Sequence, residues 1–572
     1  MTQAQTLSVF PGDPADEPRL APEVRCELEA YFKNLVTQLS LANAHSGFWW
    51  ASWLSSRDRF LSVLWTRLVA LQRLLVTLAE RSPQPSFAAP DLGTAQVARD
   101  LARALGYRVR TDVASRLRFA SDAIGIRLSS IVRLVKTCWW AISWIRLARK
   151  YPIAPEKLAT CDRLIITMLG ANIDDAERYV DTYFGDLHGY FDKLGIRSAY
   201  CGNIQAHPRA VIPRLQLRAQ GPTLTTFGHF LKWRDVLSAL REVATSRINT
   251  SVAPDFHGAS VDRLVRADLS TQSPSIFLAR LLHRAAPRLL AAAPKAEIIH
   301  MFENNPWERA IYQAAAGETP RRRVTGFLHC AVLPSHFKNY IAPDEWGIRP
   351  MPHRIVCTGP AALRILSSLG AYPAEMLRPG CDLRGASLEG LTRHQRTATR
   401  APTVLLILEG LRSMWRAVHW AEQVVAMNPT LQVRIREHPA MKLAEIARIN
   451  GRTFKLGPRL QLEPPCSLAQ SLAGADVVAY VSSTAALYAV HIGMPVVKIW
   501  TDDSVNDDPL VQCDSLKRQA TSPEAFAAAI DELVSLPTDV YATEARQAAA
   551  YIEDYLTRPS DKVLSVFHGQ PA

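Results

Sequence analysis

The nine cysteines, at positions 26, 138, 161, 201, 330, 357, 381, 466 and 513, form no CxxC pair. Their number is odd and their spacing irregular, so neither a disulfide framework nor a zinc site is expected, and a reducing compartment fits best. Residues 1–14 contain no basic stretch followed by an apolar run, so a secretory signal is not read there, and a cytoplasmic setting is the expectation. No GxGxxG opens a helix after a strand and no GxxxxGKS/T occurs, which weakens dinucleotide dehydrogenases and P-loop kinases. HExxH and GxSxG are missing too, which weakens metalloprotease and α/β-hydrolase readings. No internal repeat and no low-complexity segment is present. The longest uncharged run, residues 477–497, could span a bilayer by length. Ser482, Ser483, Thr484, His491, Gly493 and Pro495 break it, so it reads as a buried strand–helix–strand unit.

What is present is an ordinary globular composition: 572 residues, 48% hydrophobic and 21% charged. That length predicts several domains. Lys and Arg number 66 against 53 Asp and Glu, a net charge of +13. The excess favours anionic partners. Between residues 110 and 150 stand nine basic residues and two acidic ones, interleaved with Ile124, Leu128, Ile131, Trp139, Trp140 and Trp144. Two readings stay open for this segment: a core helix with a solvated basic face, or a helix lying on an anionic membrane surface. No RNP, KH or helix-turn-helix signature is found and most of the excess charge lies here, so nucleic acid is not an expected partner.

Four regions are expected: a helical N-terminal region over 1–155, a first Rossmann-like domain over 156–395, a second over 396–545, and a C-terminal helix and tail over 546–572. From about residue 160 an apolar strand, a loop, an amphipathic helix, a glycine and another strand recur, which predicts α/β units on parallel sheets. Strands are predicted at 163–169, 198–204, 297–302, 324–328 and 354–357, then at 404–408, 431–436, 477–481 and 496–500. Helices are predicted at 176–194, 306–316, 360–369, 415–427 and 484–490.

The strongest chemical constellation lies in the second of these domains. The strand at 477–481 runs into Ser482, Ser483 and Thr484 at a helix start, where hydroxyls and backbone N–H groups can converge on a phosphate. Plain helix capping by Ser and Thr is the competing explanation. The strand at 431–436 ends in Arg436, Glu437, His438 and Pro439. Pro439 biases His438 toward extended backbone and aims its imidazole out of the strand end. Glu409 and Gly410 end the first strand of the same domain. All three pieces share the carboxyl edge of one sheet, where open α/β sheets bind ligands.

A strand-end His-Pro followed by Ser-Ser-Thr opening a helix, then Gly493-Met494-Pro495-Val496, resembles bacterial sialyltransferases and polysialyltransferases of the GT-B fold. It also resembles Kdo transferases and other surface-polysaccharide glycosyltransferases, over roughly residues 160–545. Residues 302–309 resemble a segment of uncharacterised surface-carbohydrate biosynthesis proteins. The resemblance implies two Rossmann-like domains facing a cleft, with the helical N-terminal region as an addition. It implies an inverting, metal-independent glycosyltransferase without a cofactor, using a nucleotide-activated sugar. A CMP-linked nonulosonic acid or Kdo-like sugar is the favoured donor, and a glycan or lipid-linked acceptor of surface polysaccharide or lipopolysaccharide type is implied. His438, Pro439, Ser482 and Ser483 would hold the nucleotide, with Thr484, Glu409, Gly410 and Arg436 beside them. Tyr488 stands where many GT-B enzymes carry a ribose-binding Glu, so ribose recognition must differ. A CDP-polyol phosphotransferase-like enzyme and a non-catalytic polysaccharide export or binding protein are the alternatives.

Transfer with inversion needs a base for the acceptor hydroxyl. Glu303 ends a strand of the first α/β domain and is the first candidate. Asp174 and Asp175, after another strand, and His329, after the strand at 324–328, are the others. Glu308 reads as a helix-start residue, in a capping box with Asn305 and Pro306. Asp502, Asp503, Asp507 and Asp508 read as a solvated acidic loop rather than a metal site.

Overall fold

The computed structural model describes residues 6–11, 20–80, 85–153, 155–170, 179–204, 206–216, 221–384, 391–396, 401–439, 441–501 and 505–568. Three all-parallel sheets organise it. The first holds β1 (Thr6–Pro11), β2 (Ser86–Ala89) and β3 (Arg108–Arg110) in the order β2-β1-β3. The second holds β4 (Arg163–Leu169), β5 (Ser198–Ile204), β6 (Thr223–Thr226), β7 (Glu297–Met301), β8 (Val324–Leu328), β9 (Arg354–Cys357) and β10 (Leu377–Pro379), in the order β10-β9-β8-β7-β4-β5-β6. The third holds β11 (Thr403–Ile407), β12 (Gln432–Arg436), β13 (Leu460–Leu462), β14 (Val477–Tyr480), β15 (Val496–Ile499) and β16 (Lys517–Ala520), in the order β13-β12-β11-β14-β15-β16.

The central strands are buried on both faces: β5, β8, β11, β14 and β15 are buried at every residue. Parallel strands covered by helices on both sides read as continuous apolar runs, and each Val, Leu or Ile so buried contributes ~1.5–3 kcal/mol. In the second sheet the chain starts at β4, builds outward through β5 and β6, then returns to β7 on the other side of β4. In the third it starts at β11, builds through β12 and β13, and returns to β14. Each sheet therefore has a topological switch point, at β4/β7 and at β11/β14, where the loops diverge and leave a crevice. These are the two Rossmann-like units expected from the sequence.

The loops at the two carboxyl edges touch. Ser335, in the loop after β8, donates its N–H to the Asn506 carbonyl, in the loop after β15, at 2.8 Å. Helix Thr538–Tyr555 ties the units a second time. Tyr541 Oη donates to the Gly493 carbonyl at 2.7 Å, and Tyr555 Oη accepts the Val332 N–H at 2.7 Å.

Three expectations need correction. The N-terminal region is not wholly helical, because it carries the β2-β1-β3 sheet. Its strands are only three to six residues long, and β1 alternates exposed and buried residues over a stretch where no strand was expected. Of the helix expected over 176–194, residues 176–178 lie outside the described residues, and in the remainder the helix is confined to Leu187–Lys193, because Asp181 and Gly185 close a tight turn before it. The helix expected over 306–316 starts at Arg309. Among the described residues no helix is long and apolar enough to cross a membrane.

Candidate functional site

Glu303 follows β7, the strand at the switch point of the second sheet, and the backbone turns sharply behind it. Asn304 adopts φ +60°, a left-handed conformation that Asn tolerates better than most residues. Asn304 is buried and fully engaged: its N–H donates to Glu308 Oε2 at 3.0 Å, its Nδ2 donates to the Lys338 carbonyl, and its Oδ1 accepts from Arg309 Nη2 at 3.2 Å. Glu308 also accepts the Glu303 N–H, at 3.1 Å. So Glu308 binds the backbone of this turn, but the capping box expected with Asn305 and Pro306 does not form as read, because the helix begins one residue after Glu308 and its carboxylate holds the Glu303 and Asn304 N–H groups. Its carboxyl is pushed up to about 8 by burial and by the negative charge of Glu303.

The turn presents the Glu303 carboxylate to three donors. His329 Nε2, after β8, lies 3.2 Å from Oε1. Lys338 Nζ lies 3.2 Å from Oε2, and Asn305 Nδ2 donates to the same oxygen at 3.1 Å. Burial pushes the Glu303 carboxyl up, but Lys338 and His329 outweigh it and hold it well below the usual carboxylate range. The Glu303 side chain keeps 23% of its exposure while that of His329 keeps 3%. The carboxylate is thus the accessible member of the pair, and the imidazole stands behind it, edge-on to Tyr183 at 4.9 Å. The structure brings together two of the four candidate bases. Asp174 and Asp175 lie outside the described residues. Lys338 carried no sequence signal: it sits on a short 3₁₀ turn, Phe337–Asn339, 35 residues from Glu303.

The second cluster spans the other switch point. Glu409, after β11, accepts hydrogen bonds from both the N–H and the Oγ–H of Ser482, after β14. Burial raises the Glu409 carboxyl, and Ser482 only partly offsets that. The strand end beneath it is fixed by Lys498, which is fully buried. Its Nζ donates to the Val481 carbonyl and pairs with Asp507 at 2.6 Å. Ser483 Oγ accepts the Ala485 N–H at 3.3 Å. Thr484 occupies the cap position of helix Ala485–His491 but makes no capping hydrogen bond, and it is exposed. Plain capping therefore does not explain the Thr484 hydroxyl.

His438 follows β12, the neighbour of β11, and is half-buried. Gly410 lies flat against it: a Cβ on Gly410 would come 3.0 Å from His438 Nδ1, so this close approach favours glycine. Burial and the nearby Lys442 lower the His438 imidazole. Pro439 is exposed beside it. Arg436 belongs elsewhere. Its Nη1 donates to Ser471 Oγ at 2.5 Å and lies 3.6 Å from Glu463 Oε2, on the β13 side of the sheet. The strand-end cluster is therefore Glu409, Gly410, His438 and Ser482–Thr484, with Lys498 as a support that sequence reading missed.

The acidic loop is not solvated as expected. Asp507 and Asp508 are buried, the first on Lys498 and the second on Lys517 at 3.1 Å and Tyr480 Oη at 2.8 Å. Asp502 and Asp503 lie outside the described residues. Among the described residues no group of three or more His, Cys, Asp or Glu side chains is placed to hold a metal ion.

No protein-family model matches the chain, and no curated protein matches it. Solved structures do. A UDP-GlcNAc 2-epimerase from Neisseria meningitidis bound to UDP-GlcNAc aligns with 70% of this chain and 98% of its own, at 11% identity and a TM-score of 0.41. The calicheamicin glycosyltransferase CalG4 aligns with 68% of this chain and 94% of its own, at 14% identity and a TM-score of 0.38. The glycosyltransferase SnogD from Streptomyces nogalater aligns with 71% of this chain and 99% of its own, at 12% identity and a TM-score of 0.38. At these scores the matches assign neither an activity nor a substrate to this chain.

Proposed function

We propose that this chain is a glycosyltransferase of GT-B type. It moves a sugar from a nucleotide-activated donor to a hydroxyl of a glycan or lipid-linked acceptor, without a resident metal. The observation that carries this reading is the Glu303–His329–Lys338 cluster at the carboxyl edge of one sheet, combined with the Glu409–Ser482 pair at the switch point of the other. The loops behind the two edges are hydrogen-bonded through Ser335 and Asn506.

In this reading the donor nucleotide lies over β11, β12 and β14. Its phosphate accepts from Ser483 and Thr484, and His438 faces the leaving group from the neighbouring strand end. Ser482 and Glu409 are held by one another and brace the turn. Glu303 takes the acceptor proton as the oxygen attacks the anomeric carbon from the face opposite the nucleotide, giving inversion. Lys338 and His329 keep Glu303 ionised and aimed. The negative charge leaves with the nucleotide, where helix N–H groups and His438 can stabilise it.

The donor is CMP-linked in our proposal, carrying a nonulosonic acid or Kdo-like sugar, and the product belongs to surface-polysaccharide or lipopolysaccharide assembly. Support for these finer choices is the ordered His438-Pro439 and Ser482-Ser483-Thr484 pair alone. The test is release of free nucleotide from CMP-, UDP- and GDP-sugars, with CDP-glycerol as the phosphotransfer control. Release from a CMP-sugar that Glu303→Gln abolishes supports the reading. Turnover of CDP-glycerol alone would replace it with polyol phosphate transfer.

A further inference from the structure

Among the described residues the longest helix, Val113–Lys150, has 38 residues. Asp112 caps it, accepting the Ser115 N–H at 2.8 Å. Its two ends are anchored in different cores. Phe119 is buried in the N-terminal core, while Ala141, Trp144, Ile145 and Ala148 are buried in the core of the second sheet. Between these anchors it stands largely uncovered: of residues 120–136, Ser130 alone is buried.

The uncovered side is apolar. Leu117, Ile124, Leu128, Ile131, Val135 and Trp139 each keep between 50 and 67% of their exposure. At about 100° per residue these six fall within an arc of roughly 80°, so they form one continuous stripe. Phe119 and Ser130, the two buried positions, fall on the opposite face. From Leu117 to Trp139 the stripe runs about 33 Å. A contiguous exposed apolar surface of this length on a soluble chain marks a binding face.

The charges say what covers it. Arg118 and Lys136 lie about 100° to one side of the stripe, and Arg116 and Arg127 about 80–100° to the other. All four are exposed. Helix Val113–Lys150 carries eight basic residues and one acidic one, Asp122. Pairing this helix with its own copy would set Arg and Lys against Arg and Lys along both flanks of the seam, which is repulsive. An apolar stripe bordered on both sides by long basic side chains instead fits an anionic bilayer. The stripe enters the acyl boundary, while Arg and Lys extend along its margins to reach lipid phosphates. At the end of the stripe a groove of about 640 Å³ opens, lined by Lys136, Trp139, Trp140, Arg146, His207 and Arg209. A groove lined by both tryptophans and basic side chains suits the interfacial level of a membrane.

We infer that the exposed face of helix Val113–Lys150 is an in-plane docking surface for an anionic lipid bilayer. This goes beyond the proposed transfer reaction and does not depend on it. The test is flotation of the full chain with vesicles of phosphatidylcholine alone and of equimolar phosphatidylcholine and phosphatidylglycerol. The protein is expected to float with the anionic vesicles and not with the neutral ones. The bound fraction should fall as salt shortens the Debye length from about 10 Å at 0.1 M to about 3 Å at 1 M. The double variant Leu128→Glu/Val135→Glu should lose at least about tenfold in vesicle partitioning, because two apolar side chains are replaced by carboxylates. Its melting temperature and its nucleotide binding should match the parent, since both positions already face solvent. Arg118→Glu/Lys136→Glu should lose binding to anionic vesicles with the apolar stripe intact. Equal flotation on neutral vesicles would overturn the inference, as would failure to float on anionic ones. So would a parent dimer in solution that Leu128→Glu/Val135→Glu dissociates.

Discussion

His329 Nε2 lies 3.2 Å from Glu303 Oε1, although the two residues follow different strands of the second sheet. The contact joins the carboxyl end of β7, at the switch point, to that of its neighbour β8, and leaves the carboxylate as the more accessible partner. A carboxylate that is ionised, partly open and clamped by an imidazole and an ammonium can take a proton from a bound hydroxyl without first changing conformation.

Glu303→Gln keeps the size of the side chain and can still accept from Lys338, but it cannot take a proton. Turnover should fall by about 10²- to 10⁴-fold, the usual range for losing a general base, with donor affinity unchanged. Steady-state kinetics alongside nucleotide titration separates the two. Unchanged turnover would move the role to His329 or to Asp174 and Asp175.

The acid limb of the activity should report the clamp. Lys338 and His329 hold the Glu303 carboxyl well below its ordinary value against the upward push of burial. Ionised Glu303 should therefore persist to unusually low pH. Lys338→Met removes the nearest cation and leaves the burial, so the carboxyl rises and the acid limb of kcat/KM should move to higher pH. A profile that Lys338→Met leaves in place would show that Glu303 does not set the limb.

Glu308 makes an opposite prediction for stability. Its ordinary value is 4.5 and the fold raises it to about 8. Between these values the folded chain binds more proton than the unfolded chain, so the contribution of Glu308 is fully present below pH 4.5 and is lost as pH rises through 8. Glu308→Gln, which cannot ionise, should gain on the parent over that window. Denaturant midpoints of both proteins across the window would show it, and a constant difference would contradict the assignment.

Arg57 and Glu345 form an ion pair at 2.7 Å with both side chains fully buried. Burial pushes Glu345 up, and Arg57 and Arg349 more than offset it, holding the carboxyl at about 2. The pair joins the N-terminal region to the segment just after Lys338. Arg57→Met leaves Glu345 buried with a weaker partner, 3.7 Å away in Arg349, and should cost about 3–5 kcal/mol in chemical denaturation. A cost under about 1 kcal/mol would mean that the two regions do not depend on one another.

Much of the architecture could be read from the chain because its central strands are buried on both faces. TVLLI at β11 and VVAY at β14 are short apolar runs bounded by breakers, and the switch to helical spacing after each marks an α/β unit. The edge strands gave no such signal. Three of the four residues of KRQA at β16 are polar, and LQL at β13 exposes two of its three residues. The strand-end residues Glu303, His329, Glu409 and Ser482 were legible because a polar residue directly after an apolar run faces the sheet edge, and His438 because Pro439 marks the end of its strand. Lys338, Lys498 and the Arg57–Glu345 pair were not, since each acts across long sequence separations set by tertiary packing. Arg436 was misread for a related reason. It ends a strand next to the β13 edge, where Glu463 captures it.

The most direct measurement is the melting temperature of the full chain with CMP, CDP, UDP and GDP, for the parent and for His438→Ala/Ser483→Ala. At 100 times its dissociation constant a bound nucleotide stabilises the folded state by about 2.7 kcal/mol. The account predicts that CMP raises the parent's melting temperature most, and that the double variant melts like the unliganded parent with the rise lost. Four nucleotides that leave the parent's melting temperature unchanged would contradict it, as would a rise that the double variant retains in full.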